Sequence, residues 1–86
     1  MKKVVIEDSS EGLESLLGEN VMLLCMNYIY AGVLSGVNET CVLLTDAKII
    51  YETGPWSDKR WKDAQAVPCP KFYVQTSAIE SFGLAK

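Results

Sequence analysis

IYAGVLSGV (residues 29–37) and CVLLT (residues 41–45) are two apolar runs separated by the polar segment 38–40. Short apolar runs bounded by turn-forming residues predict β-strands. The first run contains Gly32 and Gly36, and a glycine inside a strand marks a sharp bend or a close approach of two backbones. The two runs therefore predict neighbouring strands with a strong bend.

Further short strands are expected around this pair, because apolar runs recur along the rest of the chain. All three prolines fall within about residues 52–70, and this predicts a long loop. The predicted strands lie at 21–26, 29–37, 41–51 (with an interruption at 46–47 left open), 71–75 and 78–84.

A short helix is expected before the first strand, at about residues 9–17. Asp8 and Glu11 have the spacing of a capping box. Three leucines at helical spacing give the segment one apolar face, and Gly18 is suited to end it in a left-handed conformation.

The length of 86 residues predicts a single domain over 1–86. Five short strands with bend-forming glycines are typical of a small barrel. The expected fold is mainly β: a short N-terminal helix and a five-stranded, strongly bent antiparallel barrel over about 20–84.

The composition limits the classes of function. The chain has 8 basic and 11 acidic residues, so any nucleic-acid contact must come from a local basic patch. It has no histidine, which excludes Ser–His and Cys–His nucleophile pairs and histidine metal ligands. The carboxylates show neither EF-hand nor paired catalytic spacing. We therefore expect no catalytic residue, no metal and no cofactor.

The cysteines point to a reducing compartment. There are 3 of them, an odd number, with no CxxC pair. The mostly apolar stretch 21–37 is interrupted by polar residues, and a membrane-spanning helix needs about 20 largely apolar ones. A cytoplasmic protein without a membrane span is expected.

The segment PWSDKRWK (residues 55–62) interleaves both tryptophans with three cations, Lys59, Arg60 and Lys62. Indoles stack on any base, and lysine and arginine neutralise phosphates, so the combination suits single-stranded nucleic acid. The alternative is that Trp56 and Trp61 cover a barrel end or a subunit seam while the cations are simply solvated.

Several short motifs resemble those of the Sm-like (LSm) family. GVLSGVN (residues 32–38) is similar to that family's G-x-L-x-G-x-D, and VLLTDA (42–47) to its strand of hydrophobic residues followed by D-A. FYVQTSAI (72–79) is similar to the second motif, I-R-G then N-V. The resemblance covers roughly residues 10–84 and implies an N-terminal helix, a five-stranded bent barrel and RNA binding.

The chain departs from the family at the RNA-binding positions. Positions 39–41 lack the family's loop aromatic or histidine and its asparagine, and positions 75–76 lack its arginine-glycine. The family's uridine pocket is therefore not expected to be intact, although Asn38 and Gln75 retain groups that hydrogen-bond a base.

The resemblance also implies a homo-oligomeric ring of about five to seven copies, in which the last two strands of neighbouring subunits pair. A bent sheet leaves two unpaired edges, and cyclic pairing satisfies both. The expected interface residues are Phe72, Val74, Ile79 and Phe82.

The leading functional hypothesis is an Sm-like ring that binds RNA or single-stranded DNA and assists RNA processing. The alternative is a homo-oligomeric protein-interaction or structural module without nucleic-acid binding. An enzyme is the third and weakest alternative. Other small barrels, of the SH3-like or OB type, are the competing folds and would lack ring-forming strand pairing.

Overall fold

The computed structural model describes residues 3–86 and is mainly β. The strands are β1 (Asn20–Cys25), β2 (Ile29–Val37), β3 (Cys41–Glu52), β4 (Asp63–Ala66), β5 (Phe72–Gln75) and β6 (Ile79–Leu84), and 3₁₀ turns occupy Glu14–Leu16 and Thr76–Ala78. All pairings are antiparallel and form one sheet in the order β4-β3-β2-β1-β6. β5 pairs with the first half of β3, and β4 pairs with its second half. Within residues 3–86, no helix has both the length and the apolarity needed to cross a bilayer.

The sheet bends where the β2–β3 ladder is irregular and the two backbones crowd Gly32. The β2–β3 ladder shifts register at Gly32. A Cβ on Gly32 would lie 3.0 Å from the carbonyl oxygen of Thr45 and 3.1 Å from the Cα of Ala47. Asp46 has φ +52° at the same place, so the bend is a β-bulge rather than an interruption of β3. The predicted close backbone approach at Gly32 is confirmed.

One face of the bent sheet encloses the hydrophobic core. Strand alternation directs every second side chain to this face, and the buried cluster combines residues of β1, β2, β3 and β5 with one leucine of the N-terminal segment. Its members are Leu13, Val21, Leu23, Leu34, Val42, Leu44, Ala47 and Val74. Ala31 and Ile50 are also buried, but their positions in β2 and β3 place them on the opposite, outer face.

The prediction of a closed five-stranded barrel is wrong in two respects. The sheet has six strands, because β4 forms within the predicted loop 52–70. The sheet is also open: in the part of the chain that the structure describes, no ladder joins β5 to β6. The turn between them is a 3₁₀ turn (Thr76–Ala78) rather than a hairpin turn that would direct one strand back along the other.

The predicted N-terminal helix over 9–17 is also wrong. The Oδ1 of Asp8 accepts hydrogen bonds from the backbone N–H groups of Ser10 (2.8 Å) and Glu11 (3.1 Å), which forms a tight turn. Gly12 then takes a left-handed conformation (φ +75°), which an α-helix cannot accommodate, and only one 3₁₀ turn follows. Gly18 does adopt the left-handed conformation expected of it (φ +88°).

Candidate nucleic-acid interface

Residues 53–62 connect β3 to β4, and we call them the tryptophan loop. The backbone N–H of Lys62 donates to the carbonyl oxygen of Thr53 at 3.3 Å and closes the loop. Within it, the N–H of Asp58 donates to the carbonyl of Pro55 at 3.0 Å, and the Asp58 carboxylate accepts the N–H of Arg60 at 2.9 Å. Short-range hydrogen bonds therefore order the loop, and the side chain of Asp58 turns the chain between the two tryptophans.

The two tryptophans of the loop contact each other. Their rings meet edge to face, with centroids 6.0 Å apart and an interplanar angle of 82°. Trp56 is 56% exposed, whereas Trp61 is half-buried. The ammonium of Lys86 lies 5.5 Å from the Trp56 centroid and 4.8 Å from that of Trp61. Trp56 thus keeps much of its indole available to solvent, and Trp61 forms the inner side of the pair.

The tryptophan loop borders a hollow on the outer face of the sheet, which we call the basic depression. Lys48 of β3 and the two alanines of β4 that line it have the same phase along their strands as the outer-face residue Ile50. The depression has a volume of about 460 Å³. Its cations are Lys48, Lys59, Arg60, Lys62 and Lys86.

The basic depression collects positive charge in a chain whose net charge is −3. It contains five of the chain's eight basic residues and only one carboxylate, that of Asp63. Lys62 also forms a salt bridge with Glu52 at 3.3 Å. Both side chains are well exposed, and such a pair contributes little to the free energy of folding. The local patch that the overall charge requires for a nucleic-acid contact is therefore present on this face.

Asn38 and Gln75 lie away from the tryptophan loop. Asn38 follows β2 and Gln75 pairs with Cys41, so both sit at the opposite end of the twelve-residue β3. The Oδ1 of Asn38 accepts the backbone N–H groups of Thr40 and Cys41, each at 2.8 Å. This oxygen holds the β2–β3 turn, and Gln75 is exposed at the end of β5. The structure does not bring the two halves of the predicted site together.

The four residues expected at a subunit interface have different environments. Val74 is 5% exposed and belongs to the chain's own core. Phe72 and Ile79 are half-buried against that core, and Phe82 is 43% exposed. Of the four, Phe82 is therefore the most exposed apolar residue.

A groove of about 610 Å³ lies between β5 and β6, and we call it the aromatic groove. Its lining includes Tyr28, Tyr30, Phe72 and Tyr73, and the Tyr30 and Phe72 centroids are 5.4 Å apart. Burial raises the pKa of the Tyr30 hydroxyl, with a smaller contribution from the nearby thiol of Cys25. Burial also raises the pKa of the Cys25 thiol, so neither group is activated as a nucleophile.

Three residues that line the basic depression are not predicted from the sequence: Asn20, Lys48 and Lys86. Lys48 could have been predicted, because strand alternation places its side chain on the outer face of the predicted strand 48–51. Lys86 could not have been predicted, since it lies near the tryptophans only in the folded chain. Among residues 3–86, no three cysteine, aspartate or glutamate side chains converge as metal ligands.

No protein-family model, no curated protein and no solved structure matches this chain.

Proposed function

We propose that this chain is a divergent Sm-like protein that binds RNA or single-stranded DNA through the basic depression and the tryptophan loop. One observation carries the proposal: the half-buried Trp61 lines a depression that holds five cations, and the exposed Trp56 meets Trp61 edge to face at its border. Stacking on Trp56 accounts for base contact and the cations for phosphate contact. The proposed role is to assist RNA processing by binding, since the depression and the loop offer groups that contact bases and phosphates.

The strand arrangement supports the Sm-like part of the proposal. A bent antiparallel sheet in the order β6-β1-β2-β3-β5 is compatible with the family's barrel, with β4 as an addition. GVLSGVN (residues 32–38) supplies the bend at Gly32. The departures at positions 39–41 and 75–76 are compatible with a ligand surface that has moved to the outer face.

Ring assembly is the second part of the proposal. Within the described residues, β5 and β6 each have a partner on one side only. Pairing of β5 in one copy with β6 in the next would satisfy both edges and close a ring of about five to seven subunits. The odd cysteine count supports a reducing cytoplasmic setting for such an assembly.

Fluorescence anisotropy of labelled 12-nucleotide poly-U and poly-A tests nucleic-acid binding. We expect the affinity to fall steeply between 50 and 200 mM salt, because each neutralised phosphate of a single strand contributes a slope of about −0.7 in log K against log salt. The triple variant K59A/R60A/K62A should weaken binding and flatten this slope by about 1 to 2.

Lys71→Ala is the matched control, because Lys71 is exposed and lies outside the basic depression. It removes one charge and should change the slope little. A slope that is the same in the wild type and the triple variant would count decisively against the basic depression as the ligand surface. Absence of any binding at 50 mM salt would refute nucleic-acid binding as such.

The aromatic groove favours a second candidate, an interaction module that binds protein and no nucleic acid. Tyr73 is 58% exposed and Met26 is 89% exposed beside this groove, and exposed apolar side chains around a hollow are typical of protein contacts. The anisotropy experiment separates the two candidates, because this one predicts no oligonucleotide affinity at low salt.

A further inference from the structure

Lys86 contacts the tryptophan loop at four points. Its Nζ donates to the carbonyl oxygen of Thr53 at 2.7 Å and to that of Pro55 at 3.0 Å. The same Nζ lies 5.5 Å from the ring centroid of Trp56 and 4.8 Å from that of Trp61, within the range of cation–π attraction. One ammonium group thus contacts two backbone carbonyls at the start of the loop and both indoles.

The ammonium is connected to the sheet. The backbone N–H of Ala85 donates to the carbonyl oxygen of Asn20 at 2.9 Å, which extends the β1–β6 pairing up to the residue before Lys86. The hydrogen bonds at Thr53 and Pro55 join groups 33 and 31 positions apart in sequence. Lys86 therefore connects the tryptophan loop, between β3 and β4, to β6 at the other edge of the sheet. The short-range hydrogen bonds within the loop make no such connection.

We propose that Lys86 is the positioning residue of the nucleic-acid site: it holds the tryptophan loop so that the exposed face of Trp56 and the cations of the basic depression meet one ligand. This inference rests on the proposed function. Lys86 acts through the loop before any ligand arrives, which distinguishes it from a lysine that only attracts phosphate.

The intrinsic tryptophan fluorescence of the free protein reports on the conformation of the loop, because both tryptophans of the chain lie in it. K86M keeps the unbranched stem but removes the ammonium. Its emission should shift to longer wavelength and acrylamide should quench it more strongly, since both indoles lose their contact with the cation. Affinity for the 12-nucleotide poly-U should fall about tenfold, the size of one lost stacked base.

Three further variants complete the comparison. K86R should restore most of the emission and the affinity, because a guanidinium also stacks on indoles. K86Q keeps a hydrogen-bond donor without the charge and should resemble K86M. K71M removes the same charge from an exposed position outside the depression, and its emission should match the wild type.

Two results would overturn the proposal: emission and quenching of K86M equal to those of the wild type, or a loss of affinity in K86M no larger than in K71M. Urea midpoints show whether each variant is folded, and K86Q against the wild type provides the comparison should K86M be unstable. If the wild type binds no oligonucleotide, the proposed function fails, whereas the fluorescence still decides whether Lys86 holds the loop.

Discussion

Gly32 lies where the backbone of β3 leaves little room for a Cβ on β2. The Cβ of an alanine there would lie 3.0 Å from a backbone oxygen and 3.1 Å from a backbone Cα, neither of which can rotate away as a side chain can. Gly32→Ala should therefore lower the free energy of unfolding by about 1–3 kcal/mol, as overpacking does. Urea denaturation followed by circular dichroism measures the change.

Gly36→Ala is the matched control for this prediction. A Cβ on Gly36 would lie 3.4 Å from the Cβ of Leu43, an ordinary van der Waals contact. Alanine also restricts the unfolded chain more than glycine does, and this raises the free energy of unfolding by about 0.4–1 kcal/mol. Equal losses at the two glycines would show that Gly32 is not the point where the backbones constrain the bend.

Cys25 gives the protein an alkaline dependence of stability. Burial raises the pKa of its thiol, so the folded chain holds this proton more tightly than the unfolded chain. The stability it contributes is complete below the ordinary cysteine pKa of about 8.5 and is lost as the pH rises through the raised value. Thermal unfolding between pH 7 and 10 should show this decline, and Cys25→Ala should reduce it.

Cys69→Ala is the corresponding control, because Cys69 is exposed and its surroundings change little on unfolding. Tyr30, whose pKa burial also raises, adds to the decline at higher pH. A wild-type decline that Cys25→Ala and Cys69→Ala leave equally steep would rule out the Cys25 thiol as its source.

The elements differ in how far the sequence predicts them. β2 was predicted with its observed bounds, 29–37, because its apolar run ends at polar turn residues on both sides. β4 was not predicted, because its sequence Asp-Ala-Gln-Ala has low strand propensity and forms only by pairing with β3. The predicted N-terminal helix does not form, because Gly12 takes a left-handed conformation directly before the three leucines and only one 3₁₀ turn follows.

The same distinction applies to the candidate site. The tryptophan loop was identified from its residues alone, since aromatic and basic residues alternate within eight positions. The contribution of Lys86 could not be predicted, because it depends on hydrogen bonds across more than 30 positions of the chain. Local composition thus identified the ligand groups, and tertiary structure determined how they are held.

The tryptophan loop predicts different effects for its two indoles. Trp56→Ala should leave thermal stability almost unchanged, since Trp56 is 56% exposed, but should cost about 1–3 kcal/mol of oligonucleotide binding. Trp61→Ala should lower both stability and affinity, because this indole is half-buried and its removal also takes away the inner partner of Trp56. Melting curves and anisotropy on both variants measure the two quantities. Unchanged affinity in Trp56→Ala would exclude base stacking on this ring.

At the scale of the whole molecule, the open sheet predicts self-association. A ring of about five to seven copies of the 9.5 kDa chain should give a mass of roughly 50–70 kDa by sedimentation at micromolar concentration. Phe82→Glu should shift the protein towards monomer, because it places a charge on an exposed apolar side chain of β6. Leu17→Glu, equally exposed at 49% but outside the strands, should leave the mass unchanged.

The mass experiment also separates assembly from ligand binding. The basic depression lies within one chain, so a protein that is monomeric at every concentration would refute the ring and leave the site itself to be tested. If the ring forms, each copy adds one depression to a common surface, and longer oligonucleotides should bind more tightly than 12-mers through their higher effective concentration. Phe82→Glu should then weaken binding of a 40-mer while leaving the affinity of the 12-mer unchanged.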